Sequence, residues 1–187
     1  IDIATSATVK EMSIFLNGNA SSAHYGALKI AEPPYNIDIT TFRKELSYQK
    51  RNPTVCYIKD VKEDILRRDF TINAILMDKN GNIIDYLGGI QDIRDKKIKC
   101  IGNPNEKFQD DPLRMLRALR FHATLGFNID PATLGAIKKY KELLSTLSKT
   151  RVKNELDKIL LSINVVKSMD YICLLYTSDA ADDSLRV

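Results

Sequence analysis

The sequence predicts an α+β chain in which a mixed first part gives way to helices alone. Three observations carry this. β-Branched and aromatic runs recur through the first hundred or so residues, Asn80-Gly81 sits between two apolar runs, and beyond Gly102 apolar residues recur only at helical spacing. Ile1–Ala4, Tyr25–Ile30, Ile37–Phe42 and Thr54–Ile58 are the strand candidates. Thr8 to Leu16 reads as a helix, as does Lys62 to Arg68, where Glu63 and Asp64 lie at the positive N-terminal end. INAILMDKNGNIIDYL predicts a tight hairpin, because Asn and Gly both tolerate positive φ. Asn105–Leu125, Pro131–Leu144 and Lys149–Ser162 follow as helices, separated by breaks at Gly126–Asp130 and Ser145–Ser148. Asp130-Pro131 supplies an N-cap and an N1 proline. The pattern divides the chain into a head over residues 1–102, a helical region over 103–172 and a tail over 173–187.

At 187 residues, with 44% hydrophobic and 28% charged residues, the chain can bury a core and is neither wholly disordered nor collagen-like. Its most apolar stretch, Ile163 to Tyr176, is interrupted by Lys167 and Asp170 and falls short of the roughly 20 residues a membrane span needs. No membrane partner is expected. Cys56, Cys100 and Cys173 are odd in number and widely spaced, which fits a reducing cytoplasm better than a disulfide framework or a zinc ribbon. A net charge of +4 suits an anionic partner without requiring one. The chain opens on Ile1 inside a strand-like segment, so further residues are expected upstream. CLLYTSDAADDSLRV, from Cys173 onward, shows no helical or strand period and resembles translated adapter sequence, which predicts a non-native tail.

Ile-Asp-Ile occurs at Ile1-Asp2-Ile3 and again at Ile37-Asp38-Ile39. Strand alternation predicts that the isoleucines are buried on one face and the aspartates point to the other. If the two strands are neighbours, facing Cβ atoms lie about 4.5–5.5 Å apart and the carboxylates repel unless a cation stands between them. That donor set suits Mg²⁺, which takes a few carboxylate oxygens and leaves positions for water and phosphate. Two solvated aspartates on a half-buried sheet would show the same spacing.

Arg67-Arg68-Asp69-Phe70-Thr71-Ile72-Asn73-Ala74 sets two guanidinium groups, a carboxylate and an amide around an apolar anchor. Arginine forks match phosphate and ribose oxygens, although a salt bridge to Asp64 or Asp69 is the simpler alternative. In QDDPLRMLRALRF, a continuous helix puts Arg114, Arg117 and Arg120 on one flank and Met115, Leu116 and Leu119 on the other. Such an arginine arc is either solvated or filled by an anion, for which a triphosphate is suited. Asp111 and Arg114 at i, i+3 form either an ion pair or an acceptor beside a donor. In the second case the pair accepts adenine and cytosine, which offer an amino donor next to a ring-nitrogen acceptor, and rejects guanine and uracil. His24 and His122 lack partners at metal-ligand spacing, and Gly88-Gly89 lacks the spacing of a phosphate loop. Lys138, Lys139, Lys141, Lys149 and Lys153 face either RNA phosphates or solvent.

IDIATSA, IDITTFR, RRDFTINA, IIDYLGG, DDPLRMLRALRF and RVKNELDKIL, in this order, resemble the bacterial tRNA nucleotidyltransferase and poly(A) polymerase family, the class II CCA-adding enzymes, over residues 1 to 172. The resemblance implies a polymerase-β-like head followed by helical neck and body segments. It implies Mg²⁺-dependent addition of CMP and AMP, from CTP and ATP, to the tRNA 3′ end, with no protein partner. Asp2 matches the second of two metal-binding aspartates and Asp38 the third acidic position, so both are implied as catalytic. Arg68, Asp69 and Asn73 match positions at the nucleotide's ribose and phosphates. Asp111 and Arg114 match the template for the base, and Arg117 and Arg120 match further nucleotide-binding arginines. Asp110 stands where the family usually has glutamate. The first metal aspartate and a glycine-rich triphosphate-binding segment would precede Ile1, and tRNA-gripping domains would follow, so the chain as written is expected not to turn over. An A-adding enzyme or a poly(A) polymerase is the neighbouring alternative, and a non-catalytic RNA-binding segment the alternative from another class.

Overall fold

The computed structural model describes residues 1–19, 23–49 and 52–176. Packing divides the chain after Arg68, into Ile1–Arg68 and Asp69–Val187, rather than at residue 102 where the pattern changes. The reason is visible in the core of the second unit. Phe70, Ile98 and Cys100 are buried in one cluster with Phe108, Met115, Leu116, Leu119, Ile137 and Ile159, so residues just past Arg68 pack with the helices that follow.

The first unit runs β1 (Asp2–Thr5), α1 (Val9–Phe15), a 3-10 turn (Ala23–Tyr25), β2 (Ala27–Glu32), β3 (Tyr35–Thr41), β4 (Arg43–Gln49), β5 (Asn52–Tyr57) and α2 (Val61–Leu66). Three strands form a sheet in the order β1-β3-β2, parallel between β1 and β3 and antiparallel between β2 and β3. Alternation puts Leu28 and Ile39 on one face, where they are buried with Met12 of α1 against Val9, Ile30 and Ile37. The isoleucines of the first Ile-Asp-Ile depart from expectation. Ile1 and Ile3 remain 64% and 42% exposed, because β1 lies at the edge of the described sheet and Ile3 has a strand neighbour on one side only. α1 starts in a capping box: the Glu11 carboxylate accepts from the Thr8 N–H at 2.7 Å and the Thr8 hydroxyl accepts from the Glu11 N–H at 3.3 Å. β4, absent from the sequence expectation, pairs antiparallel with β5. In α2, Asp64 is 1% exposed; its carboxylate accepts from Arg67 at 2.8 Å and Arg68 at 3.3 Å and from the Arg43 N–H at 3.1 Å.

The second unit begins with a 3-10 turn at Thr71–Asn73, then β6 (Leu76–Met77), β7 (Ile83–Ile84), α3 (Gly89–Arg94) and β8 (Lys97–Ile98). β6 and β7 pair as a hairpin, but its turn is wider than expected. Only Gly81 takes positive φ (84°), and the Asp78 carboxylate closes the loop by accepting from the N–H groups of Asn80 and Asn82. Gly89 lets α3 approach the Thr71–Asn73 turn, since a Cβ there would stand 2.3 Å from the Thr71 carbonyl oxygen. On the next helical turn the Asp92 carboxylate accepts from the Thr71 hydroxyl at 2.7 Å.

The helices follow as α4 (Pro104–Asp110), α5 (Leu113–Leu125), α6 (Pro131–Tyr140), α7 (Lys149–Leu160) and α8 (Val165–Tyr176), with β9 (Asn128–Ile129) parallel to β8 and a 3-10 segment at Lys141–Thr146. The long helix expected over 105–125 is therefore two helices. Asp111 precedes Pro112, is driven out of the α region to φ −141° and ψ 99°, and ends α4. Cys173 to Tyr176, where the sequence showed no helical period, complete α8, and Leu175 is buried in the core. The rest of the expected tail, 177–187, lies outside the described residues. Among the described residues, no helix is long and apolar enough to cross a membrane.

Candidate active site

In the first unit the parallel register sets Asp2 directly opposite Asp38. Paired residues of neighbouring strands share a face, so the two carboxylates stand side by side opposite the face that packs on α1. Across the other edge of β3, Asp38 is paired with Lys29, whose ammonium is 3.6 Å from the carboxylate. No group of three or more His, Cys, Asp or Glu side chains suited to a metal occurs among the described residues. Two hard oxygen donors on a solvent-accessible face fit Mg²⁺, which completes its shell with water and phosphate, and do not fit a dedicated zinc site. Arg68 is held by Asp64 in this same unit.

In the second unit the RRDFTINA segment carries its polar groups in one network. Asp69 is 8% exposed, and its carboxylate accepts from the Phe70 N–H at 3.1 Å, the Asn73 amide at 3.3 Å and Arg117 Nε at 2.5 Å. Phe70 is fully buried and meets Phe121 edge to face at 5.7 Å, which anchors the segment on α5. The arginines of α5 thus form no shared, open arc. Arg117 goes to Asp69, Arg120 lies 2.8 Å from Glu155 of α7 and over the Phe121 ring, and Arg114, 7% exposed, donates to the Lys107 carbonyl at 2.9 Å. Their mutual repulsion is relieved by protein carboxylates and a carbonyl.

Asp111 sits at the break between α4 and α5, where its Oδ1 accepts from the Leu113 N–H at 3.2 Å and its two oxygens lie 3.3 and 3.0 Å from one terminal nitrogen of Arg151. A carboxylate has about four lone-pair sites, so these contacts leave acceptor capacity for a ligand. Sequence reasoning placed neither Arg151 nor Glu155, although both belong to RVKNELDKIL, one turn apart at i, i+4. Lys29 was missed as a partner as well, whereas Asp64 holds Arg67 and Arg68 in the salt bridge the sequence offered as the simpler alternative. His122 is buried, with Nδ1 2.6 Å from the Phe127 carbonyl and its ring edge-on to Tyr171, a packing role.

The mixed strands and helices of the chain have the nucleotidyltransferase fold. Residues 1–99 match the poly(A) polymerase head domain, and residues 126–173 match the probable RNA- and SrmB-binding site of polymerase A. The CCA-adding enzyme of Limosilactobacillus reuteri is 41% identical over 172 residues, covering 90% of this chain and 43% of the relative. That of Bacillus pumilus is 44% identical over 163 residues, covering 86% and 41%. Among solved structures, the Bacillus stearothermophilus CCA-adding enzyme in complex with CTP matches with a TM-score of 0.85 at 35% identity, over 92% of this chain and 42% of that one. The Thermotoga maritima enzyme complexed with tRNA-CCA matches with a TM-score of 0.73 at 27% identity, over 94% and 42%. The chain belongs to the tRNA nucleotidyltransferase and poly(A) polymerase family, and it spans about two fifths of the length of these relatives.

Proposed function

We propose that this chain is the nucleotide-binding and catalytic portion of a CCA-adding tRNA nucleotidyltransferase, which transfers CMP and AMP from CTP and ATP to a tRNA 3′ end. The observation that carries the reading is the register of Asp2 against Asp38 on neighbouring parallel strands. A divalent cation, Mg²⁺ in this reading, would be held by these two carboxylates and when bound supplies charge neutralisation at the reacting phosphate. In the second unit Arg117 and Arg120 exchange their carboxylate partners Asp69 and Glu155 for phosphate oxygens, while Asp69 and Asn73 offer an acceptor and an amide to the ribose; Arg68, held by Asp64, is the nucleotide-binding arginine of the first unit. Asp111 accepts from the amino group of cytosine or adenine and Arg114 donates to the adjacent ring nitrogen. The Arg151 contact fixes the Asp111 carboxylate, so that the acceptor is oriented before the base arrives.

The test grafts this chain in place of the matching segment of the Limosilactobacillus reuteri enzyme and supplies tRNA lacking its 3′ CCA. Both CMP and AMP should be incorporated, and Asp2→Ala or Asp38→Ala should nearly abolish the reaction. Near-normal turnover in either variant overturns the assignment. Incorporation of AMP alone would mark an A-adding enzyme or a poly(A) polymerase.

A further inference from the structure

The polar face of the first sheet carries a cation of its own. Lys29 and Asp38 are cross-strand partners, and at 3.6 Å, with side chains 58% and 48% exposed, they form a weak and exchangeable pair. Beside them opens a cleft of about 820 Å³, lined by Asn17, Asn19, Asn36 and Ala31 together with Lys29 and Asp38. Alternation puts Asn36, Asp38 and Lys29 on the face that also bears Asp2. Three amides and one ammonium around a single carboxylate make an unusual lining for a cleft, rich in N–H donors that suit an oxyanion.

We infer that Lys29 is a phosphate-binding residue released by metal binding. The inference rests on the reading of Asp2 and Asp38 as metal ligands. Among the described strand side chains of this face, Asp2 and Asp38 carry two negative charges and Lys29 one positive. An ammonium and a divalent cation compete for Asp38, because each neutralises the same carboxylate and each repels the other. A metal ion on the two aspartates therefore turns Lys29 away from Asp38. The group it then faces is the cleft, where a phosphate oxygen can accept from the ammonium and from the asparagine amides. Because linkage is reciprocal, a phosphate bound to Lys29 also removes a competitor from the metal ligand. The phosphate comes from the RNA backbone or from the nucleotide, and the two are separable by experiment.

Mn²⁺, followed by the loss of its free-ion electron paramagnetic resonance signal, is titrated into the chain and into Lys29→Gln. Binding of a fluorescent single-stranded RNA and of CTP is measured in saturating Mn²⁺. Removing the competing ammonium should tighten Mn²⁺ binding about two- to fivefold, the range for an exposed ion pair, and weaken RNA or CTP binding by a similar factor. Which of the two weakens identifies the phosphate source. Lys10→Gln, which removes the same charge from the exposed side of α1, should change neither quantity at that size. Unchanged or weaker Mn²⁺ binding by Lys29→Gln, or unchanged binding of both RNA and CTP, overturns the role of Lys29 while leaving the metal reading in place. If the Asp2→Asn, Asp38→Asn double variant holds Mn²⁺ as tightly as wild type, the metal reading falls and the role of Lys29 with it.

Discussion

Asp69 brings a carboxylate to a nearly buried position, and Arg117 is its charged partner. Arg117→Ala leaves one oxygen of that carboxylate unsatisfied, which costs roughly 1–3 kcal/mol, so the melting temperature should fall; Arg117→Lys should recover only part, because an ammonium cannot reproduce the fork. Thermal unfolding of both variants checks this, and an Arg117→Ala protein as stable as wild type would refute the network. At this scale the sequence was legible where the interaction is local or repeated. Asp2 and Asp38 could be matched because each stands between isoleucines and strand alternation assigns the face. The partners of the α5 arginines could not, because they lie far along the chain. Arg117 and Asp69 are 48 residues apart, and Arg151 and Asp111 are 40 apart. Helical geometry alone grouped the arginines into one arc and had no means of placing Asp69 or Glu155 among them.

The elements were read best where their end signals are chemical. Thr8, Asp60, Asp130 and Ser148 all cap helices close to the expected starts. The break at Asp111-Pro112 was written in the sequence but outweighed by the apolar period running through it, and it takes Asp111 off the helix. β8 and β9 are two residues each, too short to show any period. One element-scale prediction concerns α3, the helix that abuts the RRDFTINA turn. Burial pushes the Asp85 carboxyl up, but the N–H groups of Ile90, Gly89, Leu87 and Gly88 pull it down further, so it stays below its ordinary value. The charged form is the one the fold favours, and its stabilisation is present above the unfolded value near 3.9 and is lost as pH falls through the lower, folded value. Asp85→Asn should therefore cost about 1 kcal/mol at pH 7, in the range of a lost cap, and less at about pH 3. Melting curves at the two pH values check it; an equal loss at both would contradict the capping role. A second prediction is steric. Gly89→Ala places a methyl against the Thr71 carbonyl, and an overpacked site of this kind costs about 1–3 kcal/mol, so the variant should melt earlier and bind nucleotide less tightly. Unchanged melting would show that α3 does not brace the turn.

On the scale of the whole molecule, composition and pattern gave a mixed head followed by helices, while the packing boundary fell earlier, at Arg68, because Phe70, Ile98 and Cys100 are buried with the helices. Pattern reports the type of element, and burial reports which elements share a core. The central claim is that the second unit chooses the base through Asp111 and Arg114. Equilibrium binding of CTP, ATP, GTP and UTP to the chain, to Asp111→Ala and to Arg114→Ala, with melting temperatures alongside, tests it most directly. Each hydrogen bond to a charged group is worth roughly 1.5–3 kcal/mol, or about one to two powers of ten. Wild type should therefore favour CTP and ATP over GTP and UTP by at least tenfold, and both variants should lose most of that preference. Variants that melt earlier yet rank the four nucleotides as wild type does would make Asp111 and Arg114 structural groups and contradict the account.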